Sequence, residues 1–132
     1  MADIDKIAWL HLVDGAILST RSKGRDAFYL PGGKREAGES DLETLVREIR
    51  EELTVTVDPA TVTPAGVFRA QADSHPLGTM VRMTCYEASY TGTLTAASEI
   101  AEVAWLTYAD RPRVSPVDQL IFDHLREAGR LS

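Results

Sequence analysis

Hydrophobic positions along the chain fall into short β-prone runs interrupted twice by a longer helical period. Ile7 to Val13 is apolar, followed by Asp14-Gly15 and then Ala16-Ile17-Leu18. An Asp-Gly pair between two apolar runs predicts a tight hairpin, because glycine accepts the positive φ such a turn requires. Residues 21–26 read as a polar loop, and Phe28-Tyr29-Leu30 as a short strand stopped by Pro31-Gly32-Gly33. Further strands are expected at 55–57, 67–72, 80–90 and 103–106, with a turn at Asp58-Pro59-Ala60 and a polar loop at 73–78. In the 80–90 run, Val81, Met83, Cys85 and Tyr86 do not alternate cleanly, which calls for a bulge or burial on both faces.

The helical period is clearest over 41–53. Leu42, Leu45, Val46, Ile49 and Leu53 form one stripe. Ser40 precedes it, and Glu43 three residues later completes a capping-box pattern. A second helix is predicted over 116–128. It has Pro116 in its first position, a stripe of Val117, Leu120, Ile121 and Leu125, and Gly129 after its end. Strands mixed with two principal helices predict an α/β (α+β) fold with helices packed on a mixed sheet.

A length of 132 residues suits a single domain over 1–132, and an apolar fraction of 44% suits an ordinary core. No apolar segment approaches the roughly 20 residues of a membrane span. The start, Met-Ala-Asp-Ile-Asp-Lys, is a poor secretory leader. Cys85 is the single cysteine, so no intrachain disulfide can form. A cytoplasmic protein is expected. A net charge of −6 argues against a nonspecific nucleic-acid binder. It leaves room for a phosphate-bearing small molecule, since a metal ion can supply positive charge. Five basic residues crowd 21–35 against one acid, Asp26. Among them Arg25 and Lys34 are candidate phosphate contacts.

The candidate chemistry lies between Gly33 and Val55. At about 100° per residue, Glu48, Glu51 and Glu52 occupy one sector of the first helix, beside the apolar stripe. Like charges at i, i+3 and i+4 disfavour a helix, so a partner is called for. Arg47 and Arg50 can serve on a solvated face, and a hard dication with oxygen ligands can serve at a site.

The spacing Gly33, Glu39, Arg47-Glu48-Ile49, Glu51-Glu52, Val55 resembles the Nudix box, and Leu30-Pro31-Gly32-Gly33 before it fits the same pattern. That resemblance implies a Nudix fold, with a mixed β-sheet sandwiched between helices. It also implies attack by water on a nucleoside diphosphate linked to another group, with Mg²⁺ as cofactor and Mn²⁺ able to replace it. By the same resemblance Glu48, Glu51, Glu52 and the carbonyl of Gly33 hold the metal. Glu39 and Arg47 are structural, with Gly33 at the turn. Glu51 or Glu52, or Glu99 on a later loop, takes the proton from water, whereas Glu102 is read as structural. The substrate reading within that class is a nucleoside triphosphate, oxidised ones included. Sugar nucleotides, ADP-ribose, dinucleoside polyphosphates and a non-catalytic nucleotide-binding module remain alternatives. A homodimer is compatible with the family, though no segment of the chain announces an interface. The box departs from its pattern at Thr54, where glycine is usual. A β-branched residue resists the left-handed conformation, so the helix end is expected to differ there.

Outside the box, His75 reads as a solvated loop residue, and His11 and His124 as structural. Trp9 and Trp105 read as core residues, and Arg69 and Arg82 as sheet-surface residues.

Overall fold

The computed structural model describes residues 3–132. Met1 and Ala2, on which the reading of the N-terminus partly rests, lie outside them. The strands are β1 (Ile4–Trp9), β2 (Leu12–Val13), β3 (Ala16–Ser22), β4 (Gly32–Gly33), β5 (Thr56–Val57), β6 (Thr63–Gln71), β7 (Met80–Glu87), β8 (Tyr90–Thr91) and β9 (Ile100–Leu106). The helices are α1 (Asp41–Leu53) and α2 (Pro116–Glu127). A four-stranded mixed sheet runs β4-β1-β7-β6, a three-stranded antiparallel sheet runs β2-β3-β9, and β5 pairs with β8.

The central pair, β1 and β7, is parallel. Successive side chains of a strand point to opposite faces, so each strand feeds both sides of the sheet. Ile7 and Trp9 join the core under α1 with Leu45, Ile49 and Leu53. Ala8 joins Val81, Met83 and Cys85 in the core under α2, with Val117, Ile121 and Phe122. A mixed sheet between two helices follows. The irregular pattern of 80–90 has the same origin. Val81, Met83 and Cys85 alternate cleanly toward α2, while Tyr86 packs against the α1 core.

Five expectations need correction. Phe28-Tyr29-Leu30 is not a strand but two isolated bridges, Tyr29 with Thr20 and Phe28 with Val114, because the Leu30 amide goes to the Asp118 carboxylate. The run from Ile7 to Val13 is two strands in different sheets, separated at Leu10-His11, because the Leu10 amide bonds to Tyr86 while the His11 carbonyl turns to Leu18. The 80–90 run breaks at Ala88-Ser89, where the Ser89 amide donates to the Thr61 hydroxyl. Leu42 and Leu120 lie at the margins of their stripes and stay 38% and 41% exposed; Phe122 is buried in the second helix. Trp105 is 43% exposed, because β9 is an edge strand and turns this ring outward, near the His11 ring at 5.7 Å. Trp9 is fully buried, with its indole N–H on the Ala88 carbonyl.

Local signals account for the element ends. Asp14 and Gly15 both have positive φ, as the hairpin requires. The capping box of α1 is complete: the Glu43 amide donates to the Ser40 hydroxyl, and the Ser40 amide to the Glu43 carboxylate. At the other end Thr54 adopts the left-handed conformation after all, with φ 62°, and its amide caps the Arg50 carbonyl. The helix therefore ends as a glycine would end it, at a conformational cost. Thr54→Gly should remove strain of order 1–2 kcal/mol. Against that stand the extra freedom glycine gains in the unfolded chain and a hydroxyl bond of 3.3 Å to Thr93. A small net gain, below about 1 kcal/mol, is expected, read as a higher urea midpoint with unchanged slope.

Candidate functional site

The glycine turn, α1 and the loop before β9 meet at a cleft of about 570 Å³. Gly32 and Gly33 form β4 against β1, with Ile7 opposite Gly33 and Ala8 opposite Gly32. A Cβ on Gly32 would stand 2.0 Å from the Ile7 carbonyl oxygen. Only a glycine lets the turn approach the strand so closely. Gly33 faces the other way: a Cβ there would lie 2.6–2.8 Å from the Glu48 carboxyl group. The Glu48 carboxylate thus rests on the bare backbone of Gly33.

Glu52, one turn further along α1, is 6% exposed, and its carboxylate accepts the Gly32 amide at 3.0 Å. The end of α1 also holds the loop that carries Glu99. The Thr95 and Ala97 amides donate to the carbonyls of Leu53 and Glu52. Glu48, Glu52 and Glu99 consequently line the same cleft. Burial pushes Glu52 up to about 8, and the charges of Glu48 and Glu99 add to that. Burial also raises Glu48, with Glu51 and Glu99 pushing the same way against Arg47.

Arg47 organises the entrance. Its Nε and Nη2 donate to the two Glu39 oxygens at 2.6 and 2.8 Å, and Nη2 also reaches the Lys34 carbonyl at 3.1 Å. Nη1 donates to Glu48 at 2.7 Å and to Glu51 at 3.4 Å. Glu39 is held further by the Glu36 amide and the Thr44 hydroxyl. The Arg47 guanidinium and these donors lower Glu39 to about 2. The glycine turn is thereby clamped to the helix. Glu51 differs from its neighbours: it is exposed and does not line the cleft, although it shares an Arg47 nitrogen with Glu48. Among the described residues no three acidic or imidazole side chains stand in ready coordination geometry.

Lys34 and Arg25 both line the cleft. Arg25 donates to the Tyr29 hydroxyl at 3.2 Å, and that hydroxyl donates to Asp73. Glu102 lies outside the cleft, paired with Arg21 at 3.0 Å. Arg69 and Arg82 pair with Asp3 and Asp5 on the sheet surface.

Two residues that sequence reasoning passed over belong to the surroundings of the site. Lys6 lines the cleft from β1, and burial lowers it against the opposing pull of Asp118 and Glu52. Asp118 is fully buried in α2 and accepts the Leu30 amide at 2.7 Å and the Ser115 hydroxyl at 3.0 Å. A signal for it exists in the sequence. Asp118 precedes Ile121 by three positions and Phe122 by four, which puts an acid on an apolar helix face.

The contact between Gly33 and Glu48 yields a selective test. Gly33→Ala pushes on the far end of a flexible side chain, not on backbone, so the fold should survive. Displacing that carboxylate by about 1 Å is expected to lower kcat about 100-fold. Steady-state kinetics beside an unchanged far-UV circular dichroism spectrum checks this.

A family model described as the NUDIX domain matches residues 7–125. The chain is 46% identical over 56 residues to an RNA pyrophosphohydrolase of Halorhodospira halophila (strain DSM 244 / SL1), covering 42% of this chain and 30% of that protein. It is 28% identical over 92 residues to the uncharacterized Nudix hydrolase YvcI of Bacillus subtilis (strain 168), covering 70% and 58%. The chain therefore spans less than two thirds of the length of either curated relative. Among solved structures it is similar to the E. coli ORF135 protein, with a TM-score of 0.69, 26% identity, and coverage of 97% of this chain and 94% of that one. It is also similar to the mMutator MutT protein from Bacillus halodurans, with a TM-score of 0.72, 25% identity, and coverage of 96% and 84%.

Proposed function

This chain belongs to the NUDIX domain family, and on that premise we propose that it hydrolyses nucleoside triphosphates, oxidised ones included, to the monophosphate and pyrophosphate with Mg²⁺ as cofactor. The observation that carries the reading is the convergence of Glu48, Glu52 and Glu99 on one cleft beside a glycine turn. Burial, with repulsion from neighbouring carboxylates, raises Glu52 and Glu48, and a cation bound beside them would offset that cost. Oxygen donors of this kind fit a hard dication. Glu48, Glu52 and the Gly33 carbonyl would hold it. Glu48 and Glu51 already share one Arg47 nitrogen, so Glu51 would join by turning its exposed side chain away from that contact. Bound there, the ion supplies charge neutralisation and Lewis acidity to the diphosphate.

The chain's own residues do the rest. Lys34 and Arg25 meet the phosphates from the basic side of the cleft. Arg47, by fixing Glu39 and Glu48, sets the distance between helix and glycine turn. Glu99 is engaged by the Ser98 hydroxyl at 2.7 Å and is otherwise free to accept a proton. Water attacks a phosphorus, its proton passes to Glu99, and the bridging P–O bond breaks with pyrophosphate as leaving group.

The test is a substrate panel. Nucleoside triphosphates, sugar nucleotides, ADP-ribose and dinucleoside polyphosphates are incubated with and without Mg²⁺, and the released pyrophosphate and phosphate are measured. Monophosphate and pyrophosphate should appear from triphosphates only when Mg²⁺ is present. Turnover confined to sugar nucleotides, or unaffected by a chelator, would overturn the reading.

A further inference from the structure

The turn that ends α1 carries a side chain where a glycine would suffice. Thr54 stands at φ 62°, in the left-handed region, and its amide caps the Arg50 carbonyl. Glycine meets that backbone demand without strain. What threonine adds is a hydroxyl, and the hydroxyl donates to the Thr93 carbonyl at 3.3 Å, 39 residues further along the chain. We infer that Thr54 is a positioning residue: its hydroxyl pins the start of the 92–99 segment to the end of α1, and so keeps Glu99 in the cleft. The inference rests on the hydrolase reading above, in which Glu99 takes the proton from water, and adds what holds that acid in place.

The path of the chain brings the two segments together. β5 follows the turn and pairs with β8, Thr56 opposite Thr91. Beyond β8 the chain passes over the turn: a Cβ on Gly92 would lie 3.5 Å from the Val55 Cα and 3.7 Å from the Thr54 carbonyl oxygen. It then runs back along the helix end. The Thr95 amide donates to the Leu53 carbonyl at 3.0 Å, and the Ala97 amide to the Glu52 carbonyl at 2.9 Å. On the far side the Lys23 amide donates to the Glu99 carbonyl at 2.7 Å. β9 enters its pairing with β3 through a register shift, with Ser22 facing Ile100 and Arg21 facing Glu102. A bulge of this kind re-aims the side chains beside it. Glu99 is thus slung between the end of α1 and the turn after β3.

Residues 92–99 belong to no helix or strand. Segments of that kind open at little cost unless they are tied down. Among the described residues, the Thr54 hydroxyl makes the one side-chain hydrogen bond between the end of α1 and this segment. The Thr93 carbonyl also accepts the Thr95 hydroxyl at 3.0 Å. Loss of the Thr54 hydroxyl therefore loosens the segment without leaving that carbonyl unpaired.

The test reads the tether and the turnover separately, on the full chain. Thr54→Val loses the hydroxyl and keeps the branched shape. Amide hydrogen exchange followed by mass spectrometry should show residues 93–99 of this variant exchanging at least about threefold faster, with α1 unchanged. With the best substrate of the panel and Mg²⁺, its kcat should fall about fivefold or more while KM stays within about twofold. Thr54→Ser restores the hydroxyl and should regain both. Thr54→Gly should lose activity as the valine variant does, although it folds at least as well as the parent. In a Glu99→Gln background the valine substitution should change kcat by less than about twofold, because the group it serves is already gone. Parental exchange or parental kcat in Thr54→Val would overturn the inference. So would an equal loss in the Glu99→Gln background, or a serine variant no better than valine. Parental kcat in Glu99→Gln alone would remove the acid that Thr54 serves and overturn the inference, while leaving the hydrolase reading intact. Faster exchange in Thr54→Val, with no turnover of any panel substrate by the parent, would sink the hydrolase reading and leave the tether standing.

Discussion

Glu52→Gln should lower kcat by about 10³-fold or more, and in metal-free buffer the variant should unfold at a higher urea concentration than the parent. The activity loss follows from replacing a charged oxygen donor in the cleft by a neutral amide. The stability gain follows from burial. Glutamine keeps an oxygen for the Gly32 amide, now held at 3.0 Å, and carries no charge to desolvate. In the metal-free fold the Glu52 pKa lies near 8, against 4.5 for the free side chain. Between those two values the folded chain holds a proton that the unfolded chain has released, so stability falls as pH rises. The contribution is full below about pH 4.5 and spent above about pH 8, and its upper limit is about 5 kcal/mol. Urea titrations at pH 5 and pH 8 should therefore show the variant's advantage growing with pH. A Mg²⁺ titration should shrink it, because an ion bound by the parent restores the charged form. A variant less stable than the parent at both pH values would contradict this account of the buried acid, and one with parental kcat would remove Glu52 from the site.

The second large effect is expected far from the acids, at Asp118. Its two oxygens take the Leu30 amide and the Ser115 hydroxyl in a fully buried place. Asp118→Ala leaves both donors without a partner and opens a cavity. Each orphaned group costs about 1–3 kcal/mol, so a total of about 3 kcal/mol is expected at pH 5. Burial places Asp118 at about 7, well above 3.8. The sign is that of Glu52: the parent's own stability from this group declines between about pH 4 and pH 7. The cost of the alanine substitution should accordingly be smaller at pH 8 than at pH 5. Asp118→Asn can accept the Leu30 amide and donate to Ser115, and should cost less than about 1 kcal/mol. Leu30 leads directly into the Pro31-Gly32-Gly33 turn, so the alanine variant should also lose activity. An equal loss for alanine and asparagine would show that the two hydrogen bonds do not govern the effect.

Much of this arrangement could be read from residue order alone. The capping box, the Asp-Gly hairpin and the stripe of α1 are local signals, and each is realised where its residues stand. The sandwich could also be inferred, since a resemblance over 23 residues carried the fold with it. What escaped the reading depends on contacts between distant segments. The break between β1 and β2 is set by Tyr86 and Leu18, which no local pattern includes. Trp105 turns outward because β9 is an edge strand, and strand order is a property of the whole sheet. Lys6 directly precedes an apolar run; only the pairing of β1 with β7 sets it opposite Met83. Glu51 and Glu52 are neighbours in one motif, yet the helix angle leaves one in water and buries the other.

Arg47 carries one more consequence. A helix bearing several adjacent acids ought to resist forming until a dication arrives, as in small domains that fold only around their metal. Here a guanidinium already occupies that part, bridging Glu39, Glu48 and Glu51. The scaffold is thus complete beforehand, and under the proposed function uptake of an ion would be an exchange of partners at Glu48 instead of an act of assembly. Removing the ion should silence such a protein without unravelling it.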